Sequence, residues 1–438
     1  NLVRESQASL KLFSDFVDLG RLGELYMHPF GEYGIELSQL PFHHSWRRLK
    51  DLGVTHPLED YSLNIVAAKS GKFMRPIDDP TSRASRIPYA YHLDATLYAR
   101  FLRRFSEQLG VTRVEGKVVD VQIDNSNGHI QNLKLEAGQE IEADLFLDCT
   151  GFRGVLIEGA LQAGYEDWSD LLPMDRAVAI QTQLTEPPKP YTIATARTAG
   201  WTWRIPLQHR VGNGHVYSSR FMDQDAATQV LLDNIEGDAI TEPRHLYFKT
   251  GRRKTFWKGN CIALGLSSGF LEPLESTSIH LIQEGLIRLV AFLPDQRFSP
   301  DNAIEYNRVM GLTYERIRDF ILLHYVVTQR DDSEFWRYIQ SLEIPEVMAH
   351  RMRMLRESGH FAPYEYDLFK LDSWLAVMDG QGQSPESHNA IAARMSDQEL
   401  SATLGQLRYA VSEIARQMPT HQQFIDRYAK APKPVYSN

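Results

Sequence analysis

One stretch of the sequence combines an acid, a run of hydroxyl side chains and the start of a helix. GNCIALGLSSGFLEPLESTSIHLI begins as an apolar strand and continues with a glycine and serine turn, an acid and three hydroxyl residues: Gly265, Ser267, Gly269, Glu275 and residues 276–278. Hydroxyl side chains before an apolar periodic segment are typical of a helix N-terminus, whose free N–H groups bind anions. A carboxylate beside such a pocket can steer protons or stabilise a cation, although an acid that only complements the helix dipole has the same spacing.

A second apolar run, ADLFLDCTGFRG, also ends in a turn, at Thr150 and Gly151. A glycine there lets backbone amides approach a ligand at the carboxyl edge of a sheet, where cofactors bind in open α/β sheets. An ordinary turn after a strand has the same sequence, so this motif alone does not establish a cofactor site.

Two aromatic stretches are candidates for the border of a flat substrate. YMHPFGEYG places His28 and Phe30 on either side of a proline, and an aromatic wall with one hydrogen-bonding group suits a flat ring. In GWTWRIPL, strand alternation puts Trp201 and Trp203 on one face of a strand that ends at Pro206. Taken alone, both patterns are also those of side chains packed in a core.

The elements around these motifs predict a mixed α and β chain. Apolar residues recur at helical spacing over residues 1–26, and residues 92–109 form a clearer amphipathic helix. Strand-like runs follow up to residue 151 and again over 175–222, and helical patterns dominate after about residue 300. We expect the continuous apolar strand before Thr150 to be buried on both faces.

Composition narrows the class of protein. The chain has 438 residues, 43% of them hydrophobic, with a net charge of −9, which disfavours nucleic acid as a partner. Its two cysteines, Cys149 and Cys261, lie in apolar runs, and we expect both to be small core residues with no disulfide and no metal. Because no apolar run of 18 residues and no signal-peptide pattern occurs, we expect a cytoplasmic protein without membrane contact.

Together these motifs resemble the flavin-dependent halogenases of the tryptophan halogenase type. WTWRIP matches their W-x-W-x-I-P signature, DLFLDCTGFRG and GFLEPLESTS resemble two further fingerprints, and YMHPFGEYG and YAYHLDATLYARFL fit intervening segments. The resemblance extends from residue 1 to about residue 430. It implies an α/β fold like that of the FAD-binding aromatic hydroxylases, with a core over residues 1–300 that includes a β-sheet substrate layer, and a C-terminal helical module over residues 301–438.

The resemblance also implies a reaction and the residues that perform it. Reduced FAD, supplied by a separate flavin reductase, and oxygen convert a halide ion to hypohalous acid, which reaches a lysine beside the substrate and halogenates an aromatic ring. By motif, Glu275 and Ser276 would be catalytic, and Thr277 and Ser278 would bind the halide. The cofactor-binding residues would be Thr150, Gly151, Gly265, Ser267 and Gly269. His28, Phe30 and Trp374 would line the substrate pocket, and Trp201, Trp203 and Pro206 would form the wall of a channel between flavin and substrate.

Three departures from the family pattern qualify these expectations. The G-x-G-x-x-G loop that seats the FAD pyrophosphate and the catalytic lysine are not recognised, and because the sequence begins inside the family pattern we expect both, with the first βαβ unit, upstream of residue 1. Lys11 is the nearest lysine, but on a predicted helix it is not assigned the role. Ser278 stands where many members have glycine, which leaves the choice between chloride and bromide open. Phe369 and its neighbours offer no acid for an ammonium group, which favours an indole or another electron-rich aromatic over free tryptophan.

Two alternatives remain at the level of sequence. A flavin-dependent aromatic hydroxylase of the same fold usually carries a Gly-Asp pair after the late strand, whereas CIALGLSS has Gly265 and no acid. A non-catalytic flavin-binding relative would explain the missing lysine and glycine loop. The sequence is compatible with a monomer and with a homodimer.

Overall fold

The computed structural model describes residues 2–54, 56–295 and 297–432. The helices are α1 (Leu2–Glu5), α2 (Phe42–Asp51), α3 (Leu63–Lys69), α4 (Ala95–Gln108), α5 (Gln224–Leu232), α6 (Ser278–Ala291), α7 (Pro300–Val326), α8 (Glu334–Gln340), α9 (Glu346–Ser358), α10 (Leu371–Gly380), α11 (Asp397–Gln417) and α12 (His421–Phe424). The strands are β1 (Ser9–Lys11), β2 (Phe13–Val17), β3 (Leu25–Pro29), β4 (Ala90–His92), β5 (Val118–Ile123), β6 (Ile130–Leu135), β7 (Glu140–Glu142), β8 (Phe146–Asp148), β9 (Tyr165–Asp167), β10 (Arg176–Thr182), β11 (Tyr191–Arg197), β12 (Gly200–Pro206), β13 (Val211–Tyr217), β14 (Arg244–Tyr247), β15 (Gly251–Arg253), β16 (Trp257–Lys258), β17 (Cys261–Ala263) and β18 (Gly269–Phe270). The predicted mixture of helices and strands is confirmed.

The main sheet has seven strands in the order β14–β10–β13–β12–β11–β2–β3. Its neighbours are antiparallel except β11 and β2, which run parallel with Tyr191 opposite Phe13. The WTWRIP motif is β12, near the middle of this sheet. The strands that carry the N-terminal motifs are therefore joined directly to those that carry the tryptophans.

The prediction of a helix over residues 1–26 is wrong for most of that range. Among the described residues of this range only Leu2–Glu5 is helical, and β1, β2 and the start of β3 occur where the helix is predicted. All three residues of β1 are buried, so burial does not alternate along this strand. Alternation must extend over about four to eight residues to indicate a strand. A strand as short as β1 therefore cannot be told from part of a helix by its spacing.

Three further expectations have different outcomes in the structure. The amphipathic helix predicted over residues 92–109 is α4, which begins after an N-cap at Asp94. The strand predicted to be buried on both faces is β8, and that burial is wrong, because Leu147 is 43% exposed. Leu156 and Ile157 cover only one face of this strand. Cys261 is buried as expected, but Cys149 is exposed beyond the end of β8.

The apolar cores join early and late parts of the chain. One contains residues of the main sheet, such as Phe16 and Trp201, together with Phe320 of α7. Another joins Leu10 to Leu400 of α11. The predicted boundary at residue 300 does not separate these cores, and the division into two units stays a prediction. No helix in the described ranges is long and apolar enough to cross a bilayer.

Candidate active site

Glu275 lies in a tight turn in front of α6. The turn Pro273–Glu275 is a single 3₁₀ turn, and Ser276 after it has a left-handed backbone with φ of 58°. The Glu275 side chain is only 3% exposed, and its Oε1 lies 2.9 Å from Nδ1 of His28. Nε2 of His324, near the end of α7, lies 2.8 Å from the same oxygen, at an angle that does not complete a hydrogen bond. Both histidines therefore contact one oxygen of the carboxylate.

These two histidines determine the charge of Glu275. Burial alone would raise the pKa of the carboxyl, but His28 and His324 outweigh it and lower the pKa to about 2. Oε2 of Glu275 makes no hydrogen bond to any residue in the described ranges and is not sealed from solvent. The site thus contains an ionised carboxylate with one oxygen held and one free.

Lys11 is a functional candidate that the sequence interpretation passed over. It is the last residue of β1 and is 4% exposed, which is rare for lysine. Burial lowers the pKa of its amine to about 8, while the carboxylate of Glu275 acts in the opposite direction. Its Nζ lies 5.2 Å from the ring centroid of Phe30. A buried amine, a buried carboxylate and an aromatic ring thus share one site.

A sequence signal for Lys11 was present. Lysine between two leucines in LKL is unusual if the segment is buried, because a buried ammonium group is costly unless it has a role. On a predicted helix the same lysine is not unusual, because its long side chain can reach solvent from many positions. On the buried strand β1 the lysine side chain does not reach solvent.

Thr277 and Ser278 carry polar groups suited to a small anion. No hydrogen bond in the described ranges uses the backbone N–H of either residue, as is usual in the first turn of a helix. The hydroxyl of Thr277 is buried and has no partner in those ranges, and it does not cap α6 as hydroxyl residues at a helix N-terminus commonly do. Free amides at the positive end of a helix beside an unpartnered hydroxyl fit a halide ion.

Two turns lie side by side after the parallel strands β8 and β17. The Ser267 hydroxyl donates to the Asp148 carbonyl, and Leu264 N–H donates to the same oxygen over 3.0 Å. Gly151 and Gly265 have φ of 74° and 68°, and an added Cβ at Gly151 would meet open space. The neighbouring side chains of Phe152 and Leu266 are exposed. A glycine-rich edge with an exposed apolar surface fits the flat ring of a flavin.

The remaining predicted cofactor residues have different surroundings. Thr150 donates its hydroxyl to Asp148 over 2.6 Å and accepts from Val155 N–H over 2.7 Å, so it shapes the turn. Gly269 pairs with β15, and an added Cβ would lie 2.7 Å from the carbonyl oxygen of Gly251. Close strand pairing therefore accounts for glycine at position 269.

The two tryptophans of β12 lie next to each other, as alternation predicts. Their ring centroids are 6.1 Å apart, and the Trp203 ring covers Gly214 on the neighbouring strand. Trp201 lies against the buried side chain of Glu272, which accepts a hydrogen bond from Tyr325. Burial raises the pKa of Glu272 to about 8, so this acid is protonated at neutral pH.

The predicted aromatic residues are brought together only in part. Phe30 is partly exposed near Lys11, and His28 contacts Glu275. Trp374 is 1% exposed, behind Phe320. Phe369, which stacks on Phe320 at 3.9 Å, has its ring centroid 5.7 Å from that of His28. Phe369 therefore lies beside His28, whereas Trp374 lies farther back, against Phe320.

The chain is similar in sequence to known proteins of one family. The family model for tryptophan halogenases matches residues 1–397. Tryptophan 7-halogenase RebH of Lentzea aerocolonigenes is 32% identical over 460 aligned residues, which cover 97% of this chain and 86% of RebH.

Solved structures give the same result. Xcc4156, a flavin-dependent halogenase from Xanthomonas campestris, has a TM-score of 0.96 at 46% identity, with 99% of this chain and 87% of that chain covered. BrvH, a flavin-dependent halogenase from Brevundimonas sp. BAL3, has a TM-score of 0.95 at 41% identity, with 97% and 87% covered.

Proposed function

The chain belongs to the tryptophan halogenase family, and we propose that it halogenates an indole or another electron-rich aromatic ring with Lys11 and Glu275 as its catalytic residues. As a flavin-dependent halogenase it is an enzyme that uses reduced FAD, oxygen and a halide ion. The observation that carries the proposal is the buried pair of an amine and an ionised carboxylate beside Phe30.

The residues present fit the ring side of an FAD site. The turns at Thr150–Gly151 and Gly265–Ser267 would border the flavin ring, and Thr277 and Ser278 would hold the halide near it. When bound, reduced FAD supplies the electrons with which oxygen converts halide to hypohalous acid. The free amides of α6 favour an anion at this point because the helix dipole is positive there.

Lys11 would receive the oxidant at the substrate end. Its amine donates hydrogen bonds and can orient hypohalous acid toward a ring that lies along Phe30. Because its pKa is about 8, the amine is protonated in most molecules at neutral pH but loses its proton readily.

Glu275 would act on the ring itself. Electrophilic substitution places positive charge on the aromatic ring before a proton leaves, and an ionised carboxylate stabilises that charge. His28 and His324 fix Oε1, so the free Oε2 is the oxygen that can face the ring and accept the proton. Ser276 holds the carboxylate at the end of its turn through its left-handed backbone.

The tryptophans of β12 would separate the two ends of the site. Trp201 and Trp203 are large, adjacent and mostly buried, so they exclude water and block direct contact between flavin and substrate. Pro206 is the last residue of this strand. On this proposal His28, Phe30 and Phe369 border the substrate, and Trp374 supports them through Phe320.

A separate flavin reductase would supply FADH2, which diffuses to the halogenase. Because such reductases draw on nicotinamide cofactors, this supply favours the cytoplasm as the location. A monomer and a homodimer are both compatible with the site, since every residue assigned to it comes from one chain.

The proposal is tested by supplying the protein with FAD, NADH, a flavin reductase, oxygen and either bromide or chloride. Indoles and phenols are then screened by mass spectrometry. We expect a monohalogenated indole, with bromide at least as effective as chloride. An oxygenated product would favour the hydroxylase alternative, and the absence of any halogenated aromatic would contradict the proposal.

A further inference from the structure

A buried row of hydrogen bonds leads from Lys11 to the proline of the WTWRIP motif. Lys11 Nζ lies 3.3 Å from Thr192 Oγ1, which lies 2.8 Å from Nε2 of His92. Nδ1 of the same ring lies 3.1 Å from Ser9 Oγ, which donates to the Pro206 carbonyl over 2.6 Å. The side chains of the row belong to residues that are 7% exposed or less, so solvent does not compete for these contacts.

Every donor in the row has an acceptor when the hydrogen bonds are donated in one direction, from Lys11 toward Pro206. Because an ammonium group only donates, Lys11 must donate to the Thr192 hydroxyl. That hydroxyl then donates to Nε2 of His92, which leaves the ring hydrogen on Nδ1. The Nδ1–H donates to Ser9, whose hydroxyl is committed to the Pro206 carbonyl.

His92 is suited to the middle of this row because it is neutral. Burial lowers the pKa of its ring well below the ordinary value, and the positive charge of Lys11 acts in the same direction. A neutral ring carries one hydrogen and so joins an acceptor on one side to a donor on the other. A charged ring would present two donors and leave no acceptor for Thr192.

The row also joins elements that are distant in sequence. Ser9 and His92 are opposite each other in the pair β1–β4, Thr192 lies in β11, and Pro206 ends β12. The Lys11 amine also donates a weaker hydrogen bond, over 3.5 Å, to Ser14 Oγ. The strand of the two tryptophans is therefore connected to the amine by side chains as well as by the sheet.

We infer that Thr192, His92 and Ser9 are positioning residues for Lys11, holding its amine toward the substrate side with the Pro206 carbonyl as the fixed end. A lysine side chain has four rotatable bonds, and one hydrogen bond at a defined acceptor limits the directions that remain. Of the two other N–H groups of the ammonium, one makes the weaker hydrogen bond to Ser14, and the other makes no hydrogen bond within the described ranges and can bind the oxidant. This inference rests on the proposed catalytic role of Lys11.

The test compares Thr192→Val with Thr192→Ser and with Thr195→Val. Valine has the shape of threonine without the acceptor, and serine restores the hydroxyl. Thr195 lies three positions along β11, and its hydroxyl makes no hydrogen bond within the described ranges, so its valine variant controls for loss of a hydroxyl from this strand. Each variant is assayed for halogenated indole, for hypohalous acid that escapes to a trapping reagent, and for oxidation of reduced flavin.

We expect Thr192→Val to lower kcat for halogenation about tenfold with a smaller change in KM, because a buried donor loses its acceptor. Escaping hypohalous acid should rise while flavin oxidation stays unchanged, and Thr192→Ser and Thr195→Val should remain close to the native enzyme. Unchanged kcat in Thr192→Val would overturn the inference, as would a parallel loss of flavin oxidation or a failure of serine to restore activity. If the native enzyme halogenates nothing, the proposed function fails instead, so the two failures are distinguishable.

Discussion

At the scale of single residues, two acids of one loop differ in charge at neutral pH: Glu275 is ionised and Glu272 is neutral. Glu272 and Glu275 are three positions apart and both buried, but only Glu275 has histidines beside it. Its pKa falls to about 2, whereas that of Glu272 rises to about 8. The same substitution at the two positions therefore removes a charge at one and none at the other.

We expect Glu275→Gln to lower kcat for halogenation roughly 10²–10³-fold, because the ring cation loses its counter-charge. Glu272→Gln serves as the matched control and should stay within about threefold of the native rate, since glutamine still accepts the hydrogen bond from Tyr325. Steady-state kinetics with bromide and indole measures both. Equal losses in the two variants would remove the charge of Glu275 from the mechanism.

At the scale of elements, the wall that we propose for β12 depends on a glycine of β13. The Trp203 ring lies over Gly214, where an added Cβ would come within 2.1 Å of the ring carbons. The ring is rigid, so it must move rather than bend around the new methyl group. The position of Trp203 can thus be changed without replacing the tryptophan.

Gly214→Ala should uncouple the enzyme, with more NADH consumed for each halogenated product, because a displaced Trp203 admits water to the channel. Gly405→Ala is the control, since an added Cβ in the middle of α11 meets nothing within 4 Å. That change should leave coupling intact and stabilise the protein by about 0.5–1 kcal/mol. The ratio of NADH consumed to product formed decides the comparison, and an unchanged ratio in Gly214→Ala would contradict a separating role for Trp203.

The sequence predicts the parts of the site that are local in the chain. The turn at Thr150, the loop around Glu275 and the strand of Trp201 are each encoded within about ten residues, by glycines, hydroxyl residues and strand alternation. The predicted positions of these elements are confirmed, while their chemical roles stay predictions.

The parts of the site that depend on contacts between distant residues could not be predicted from the sequence in this way. Lys11 lies in a strand whose partners are Ala90 and its neighbours, about 80 residues away, and its contact Thr192 is 181 residues distant. Nothing local distinguishes such a buried strand from a helix. The charge of Glu275 likewise depends on His324, which no spacing in the sequence connects to it.

At the scale of the whole molecule, burial of Glu272 makes stability depend on pH. Its pKa is raised from 4.5 to about 8, so between these values the carboxyl is protonated when folded and ionised when unfolded. Unfolding then releases a proton, and stability falls as the pH rises through this window. The effect is the reverse of the usual behaviour of a paired carboxylate.

We expect Glu272→Gln to remove this dependence. The difference in melting temperature between the variant and the native protein should shift in favour of the variant from pH 5 to pH 8, because glutamine has no proton to lose. Thermal unfolding at several pH values measures it. A difference that stays constant with pH would show that Glu272 is ionised in the folded protein.

On the proposed function the reaction takes place at two ends of the site, with the halide oxidised beside Thr277 and the halogen transferred beside Lys11. Lys11→Met tests this division most directly, because methionine fills the space of the aliphatic chain without an amine. We predict that the variant loses halogenation at least about 100-fold while flavin oxidation and trapped hypohalous acid persist. Halogenation of indole at the native rate by Lys11→Met would contradict the assignment of Lys11.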